Sequence, residues 1–174
     1  MAVLYSTASA PGKLILFGEH AVVYGHTAVA VALSSMRVAV HIALRPSHNT
    51  EPTDGTHDVL EATLHDLPST SGGSAAPVHA RVSLDALASA AASLRAAADG
   101  EPDSWRVPRC ADAATVEAFG GLLGDAPAAD KAALVPLLFL VASLMPQLGA
   151  RGSRVGGRLE ISVRSAGLPV GAGA

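Results

Sequence analysis

Hydrophobic and polar residues alternate along two stretches of the chain, and this period of two predicts β-strands with one buried face. Within residues 37–44 every second residue, from Val38 to Leu44, is a large apolar one, and the alternate positions include Arg37 and His41. Residues 159–163 repeat the pattern through Leu159, Ile161 and Val163. We therefore expect a strand in each stretch, with its apolar side chains turned toward a core.

The N-terminal third carries further strand signals that are broken by turn residues. Residues 2–9 predict a first strand, closed by the Pro-Gly pair at 11–12, and residues 13–17 predict a second short strand that ends at Gly18. Residues 27–33 and the less regular residues 58–65 each add a possible strand. The sequence thus favours several short strands before the first helix.

Helical composition dominates the middle of the chain. Residues 84–98 are rich in Ala, Leu and Ser, residues 113–123 are compatible with a helix, and residues 130–148 give the strongest helical pattern. Pro136 predicts either a kink or a restart within this last segment. The Gly/Ser/Pro stretch at 68–77 is typical of a linker or surface loop.

Composition narrows the class of protein. The 174 residues suffice for one domain, and 49% hydrophobic but only 3% aromatic residues indicate a core of Ala, Val and Leu. A net charge of −3 without blocks of like charge does not favour a nucleic-acid partner or a membrane surface. The single cysteine, Cys110, excludes an internal disulfide, and the N-terminus lacks the pattern of a secretory signal. We expect a cytoplasmic protein.

Three polar residues stand out in the apolar stretch at 10–25, "APGKLILFGEHAVVYG". Lys13, Glu19 and His20 are costly to bury without partners, so they are either solvated at strand ends or converge on a ligand. Lys13 could hold a phosphate as a point charge. Glu19 could pair with that lysine or order a metal-bound water, and His20 could donate a hydrogen bond to a substrate carboxylate or hydroxyl.

A second candidate segment is "LPVGAGA" at 168–174. A strand followed by Pro169, Gly171 and Gly173 has the layout of a phosphate-binding loop, in which glycine lets backbone N–H groups approach phosphate oxygens. Short Gly/Ala runs are also common as plain flexible segments, and both interpretations stay open at this level. The scattered histidines lack metal-ligand spacing, and we expect them in loops: His48, His57, His65 and His79.

The stretch at 10–25 resembles the first signature of the GHMP small-molecule kinases, and "GEHAVVYG" resembles the mevalonate kinase family within them. Galactokinases typically continue with Thr-Asp after Gly-Glu-His. The segment at 168–174 resembles the start of the second signature of these kinases. The resemblance covers residues 3–47 and 154–174; the intervening part agrees only in its general order of strands and helices.

The resemblance implies ATP-dependent phosphorylation of the primary alcohol of mevalonate, with Mg²⁺. Lys13 matches the lysine near the transferred phosphoryl group and the reacting hydroxyl, and would be catalytic and ATP-binding. Glu19 and His20 match positions that bind the substrate. The ATP phosphates would also contact Gly171, Ala172 and Gly173.

The resemblance also implies an α/β (α+β) fold, that of the ribosomal protein S5 domain 2-like N-terminal domain of GHMP kinases. It has a mixed sheet with helices on one side and a left-handed crossover. Residues 1–174 would form this domain incompletely, ending inside the phosphate loop and without the C-terminal domain. The family's metal ligands and its aspartate base would then be missing. Three aspartates are most simply surface charges: Asp54, Asp58 and Asp66.

From these departures we expect the 174-residue chain by itself to be inactive. The full-length enzyme would be a cytoplasmic homodimer in isoprenoid and sterol precursor synthesis, with mevalonate and ATP as its ligands. Two alternatives remain open: another GHMP kinase, similar to galactokinase or homoserine kinase, or a non-catalytic short form that binds a ligand or partner.

Overall fold

The computed structural model describes residues 2–46, 58–70, 76–97, 113–149 and 157–166. These residues form a mixed α/β structure in the order β1 (Leu4–Phe17), a 3₁₀ turn (Ala21–Tyr24), β2 (Val29–Pro46), β3 (Val59–Pro68), β4 (Pro77–Ser83), α1 (Leu84–Ala97), α2 (Ala113–Gly121), α3 (Ala128–Gly149) and β5 (Gly157–Ala166).

The strands form one mixed sheet in the order β1-β2-β5-β3-β4. Strands β3 and β5 are parallel, and the other neighbours are antiparallel. All three helices pack on one face of this sheet, where Leu60 and Ile161 contact a helical layer that includes Leu87, Phe119 and Leu138. This burial of apolar side chains is the main source of stability.

The interruption predicted after residue 9 is wrong, because β1 continues through the Pro-Gly pair as one strand. The register changes there: Pro11 pairs with Arg37, whereas Gly12 pairs with Leu33, so residues 34–36 of β2 bulge out of the ladder. Strand β1 lies at the edge of the sheet, and an edge strand tolerates a proline, which has no N–H to donate. The two short strands predicted within 27–44 are likewise one strand, β2.

Strand β4 was not anticipated from the Gly/Ser/Pro composition of residues 68–77. In it Val78, Ala80 and Val82 are buried and alternate with exposed residues, so the period of two is present but short. The loop assignment is also wrong for two histidines, because His65 lies in β3 and His79 in β4.

The helix predictions are confirmed. Helix α1 begins after Ser83, whose Oγ accepts a hydrogen bond from the N–H of Ala86 at 3.4 Å, as an N-cap residue does. Helix α3 continues through Pro136 without a restart. None of the described helices is both long and apolar enough to cross a lipid bilayer.

A buried carboxylate connects the sheet to the start of α3. Asp130 is 6% exposed and accepts hydrogen bonds from the Ser69 hydroxyl at 2.5 Å, the Thr70 N–H at 3.1 Å and the Thr70 hydroxyl at 3.2 Å. These donors, the Ser69 hydroxyl first, lower the pKa of Asp130 below its ordinary value. The segment after β3 is thereby held against the first turn of α3.

We expect Asp130→Asn to lower the melting temperature at neutral pH by several degrees, because an amide cannot replace all the accepted hydrogen bonds. Since the folded pKa is depressed, the stabilisation is complete above the ordinary Asp value of 3.8 and is lost as pH falls through the folded value. Thermal melts across acidic pH should show the two proteins converging. The exposed Asp85→Asn serves as the control; an equal effect there would contradict a specific role for Asp130.

Candidate functional site

The N-terminal candidate residues lie on the hairpin of β1 and β2. Lys13 is opposite Ala32 in the ladder and is exposed. It stands between two irregularities of the pairing, one after Pro11 and a second one at Leu16. Bulges of this kind bend a strand and increase its twist, and so re-aim nearby side chains. Lys13 therefore projects from a locally irregular part of an edge strand.

Glu19 and His20 lie in the turn that connects β1 to the 3₁₀ helix, and both are exposed. Backbone hydrogen bonds close this turn: the Val22 N–H donates to the Gly18 carbonyl at 2.9 Å, and the His26 N–H to the Ala21 carbonyl at 3.2 Å. The turn presents an acid and an imidazole side by side at the tip of the hairpin.

The structure does not bring the three candidates into contact. Between Lys13 and the turn β1 spans about 16 Å at the usual strand rise. Within the described part of the chain, no hydrogen bond or ion pair involves the side chain of Lys13, Glu19 or His20. These residues are exposed groups on the hairpin, and their convergence on a ligand stays a prediction.

Gly18 sets the geometry of the turn. Its φ is +85°, a region that side chains with a Cβ rarely adopt. A Cβ on this residue would lie 2.6 Å from the carbonyl oxygen of Thr27 and 2.8 Å from the Cα of Ala28. The backbone of residue 18 thus packs directly against the start of the return path to β2, and only glycine fits there.

We expect Gly18→Ala to displace the turn, because both the backbone angle and the contact with Thr27 become unfavourable, at a combined cost of at least about 2 kcal/mol in the free energy of unfolding. Urea unfolding of the variant would measure this. Gly25 is the matched control: its φ is +81°, but nothing lies within 4 Å of an added Cβ. If Gly25→Ala lowers the free energy of unfolding as much as Gly18→Ala, the close approach to Thr27 does not cause the loss of stability.

The hairpin end is strongly apolar, a feature that the sequence analysis did not single out. Phe17, Val23 and Tyr24 are 74%, 79% and 80% exposed. We call this surface the hairpin-tip patch; its members are Leu14, Leu16, Phe17, Val22, Val23, Tyr24, Val29 and Val31. Large exposed apolar patches mark surfaces that another protein surface or a ligand covers. The sequence signal that could have indicated this patch is the run of large apolar residues on both sides of Gly18.

The remaining residues that the sequence analysis singled out are those of the glycine-rich segment and three aspartates. Gly171, Ala172 and Gly173 lie outside the described residues, as does Asp54. Asp66 is exposed, as predicted, and accepts a hydrogen bond from the Ser165 N–H at 2.5 Å. The assignment as a solvated surface charge is wrong for Asp58, which is half-buried and accepts a hydrogen bond from the Gly157 N–H at 2.5 Å. These carboxylates fasten β5 to β3. Over the described ranges, no three His, Cys, Asp or Glu side chains are grouped as metal ligands would be.

Comparison with known proteins adds a short match. A segment of 40 residues is 55% identical to a mevalonate kinase of Archaeoglobus fulgidus. The match covers 23% of this chain and 13% of the archaeal protein. No family model matches the chain. Over this segment the chain is similar to a mevalonate kinase.

Proposed function

We propose that this chain is the N-terminal part of a mevalonate kinase, which transfers the γ-phosphoryl group of ATP to the primary alcohol of mevalonate. The observation that carries the proposal is the 55% identity over 40 residues to the archaeal mevalonate kinase. The segment "GEHAVVYG", which resembles the family signature, supports the same substrate. Glu19 and His20 are exposed at the tip, where their polar side chains can reach a small polar substrate.

Lys13 supplies from this hairpin a positive charge, which phosphoryl transfer requires. In the reaction the alcohol oxygen gives up its proton to a base and forms a bond to the γ-phosphorus, the bond from that phosphorus to the β–γ bridging oxygen breaks, and ADP leaves. Negative charge spreads over the phosphoryl oxygens, and a fixed cation stabilises it. The ammonium of Lys13 is exposed and has no partner in the described part of the chain, so it can act as the cation that stabilises the phosphoryl oxygens.

We propose that part of the catalytic machinery comes from outside the described residues. Within the described ranges, no His, Cys, Asp and Glu side chains are grouped as Mg²⁺ ligands would be. Gly171, Ala172 and Gly173 are proposed to contact the ATP phosphates through their N–H groups. The hairpin-tip patch supports a further domain, of the GHMP type, that covers it and supplies the metal ligands and the base. On this proposal we expect the 174 residues by themselves to show no kinase activity.

The proposal is tested with two proteins: the 174-residue chain, and the product of the longest reading frame that contains it. ADP release is followed with mevalonate, galactose or homoserine as the acceptor. We expect turnover with mevalonate for the longer product alone. Turnover with galactose or homoserine instead would assign another GHMP kinase. A reading frame confirmed to end at residue 174, together with mevalonate binding but no turnover, would favour a non-catalytic binding protein.

The cellular setting follows from the proposed activity. A mevalonate kinase works in the cytoplasm on isoprenoid and sterol precursors, and the complete enzyme is proposed to be a homodimer. Size-exclusion chromatography of the longer product with light scattering would measure its oligomeric state.

A further inference from the structure

The face of the sheet opposite the helices carries a segregated positive charge. We call it the open sheet face. It presents two carboxylates, Glu61 and Glu160, together with five guanidinium groups, a formal charge of +3; the arginines are Arg37, Arg45, Arg81, Arg158 and Arg164. The other charged residues in the described ranges, two lysines, one arginine and seven acids, sum to −4. The net charge of the whole chain conceals this asymmetry.

The guanidinium groups form the outer layer of the open sheet face. Glu160 lies 3.1 Å from both Arg45 and Arg158, while Glu61 contacts Arg158 and lies 3.8 Å from Arg81. The side chains of these three arginines are 47–54% exposed, whereas those of Glu160 and Glu61 are 33% and 15% exposed. The carboxylates thus hold the arginines in position, and an approaching molecule meets mainly positive charge.

The centre of this face is polar and shallow. Thr7 and His41 share a hydrogen bond at 3.0 Å, and His65 and Ser162 share one at 2.9 Å. Next to them lies a depression of about 200 Å³, with Tyr5 at its edge. Tyr5 is 70% exposed. Arginine and tyrosine, fixed on rigid strands, are the residue types that dominate binding energy at protein–protein interfaces.

We propose that the open sheet face binds a carboxylate-rich segment of a partner polypeptide. Each carboxylate already on this face is shared between two guanidinium groups, so the spacing of the arginines suits carboxylate ligands. Single-stranded nucleic acid fits less well, because its bases need several aromatic platforms, and Tyr5 is the one exposed aromatic side chain on the described part of this face. The inference does not depend on the kinase proposal.

The test measures fluorescence anisotropy of a labelled peptide of alternating Glu and Ala with the 174-residue chain, beside a labelled oligo-uridine of equal length. We expect saturable peptide binding that weakens as salt is added. The double variant Arg45→Gln/Arg81→Gln should weaken it at least about tenfold, because close charge pairs across an interface are each worth more than this factor. Lys131→Gln, a charge loss on α3, should leave it unchanged.

Two further readouts keep the outcome decisive. The variant Arg45→Lys/Arg81→Lys retains the charge and should recover most of the affinity, and circular dichroism establishes that each variant is folded. The proposal is overturned if the peptide does not bind at low salt, or if Lys131→Gln weakens binding as much as the double variant. Tighter binding of oligo-uridine through the same arginines would also overturn it, in favour of a nucleic-acid surface.

Discussion

Replacing Lys13 by methionine in the longer reading-frame product should lower kcat by at least about 100-fold, because removing one group that stabilises transition-state charge typically costs this much. Methionine keeps most of the apolar stem and removes only the ammonium. Because Lys13 is exposed and makes no ion pair in the described part of the chain, its loss should leave the melting temperature unchanged. Steady-state ADP release and thermal melts measure the two effects separately.

Lys131→Met is the matched control for this experiment, since it removes a lysine from α3, which packs against α1, α2 and β4. It should leave turnover unchanged. If Lys13→Met also turns over at the wild-type rate, Lys13 is only a surface cation, and the catalytic role proposed for it is wrong.

Phe119→Ala should destabilise the chain by about 3–5 kcal/mol, the usual cost of deleting a buried aromatic ring. Phe119 is 1% exposed and packs edge-to-face against Phe139, with the ring centroids 6.3 Å apart. It joins α2 to the core that α1, α3 and the sheet share. Urea unfolding measures the loss.

Leu140→Ala provides the comparison, because Leu140 lies beside Phe139 in α3 but is 56% exposed. Its truncation should change the free energy of unfolding by less than about 0.5 kcal/mol. Similar losses for the two variants would mean that α2 and α3 do not enclose a packed core around Phe119.

The regular elements were predictable where a long periodic pattern stands alone. Helix α3 and strand β5 follow from composition and alternation, and both are confirmed. Strand β4 was missed because its alternation is short and directly abuts the helix that begins at Leu84. The break expected at Pro11 was wrong because the sequence does not reveal that β1 is an edge strand, where a proline costs no ladder hydrogen bond.

The residue types of the candidate site stay a prediction, and their arrangement in space did not follow from the sequence. Lys13, Glu19 and His20 are neighbours in the sequence, yet an extended strand keeps the lysine away from the turn. The arginines of the open sheet face could not be grouped from the sequence for the opposite reason. Arg45 and Arg158 are 113 positions apart, and only the pairing of β2 with β5 brings both to the carboxylate of Glu160.

The most direct test of the proposed function is the position of the Lys13 ammonium in a crystal structure of the longer product with a non-hydrolysable ATP analogue and mevalonate. We expect its Nζ within hydrogen-bond distance, about 3 Å, of a γ-phosphate oxygen. A Lys13 side chain that points into solvent, with the nucleotide bound elsewhere, would contradict the assignment of this hairpin to phosphoryl transfer.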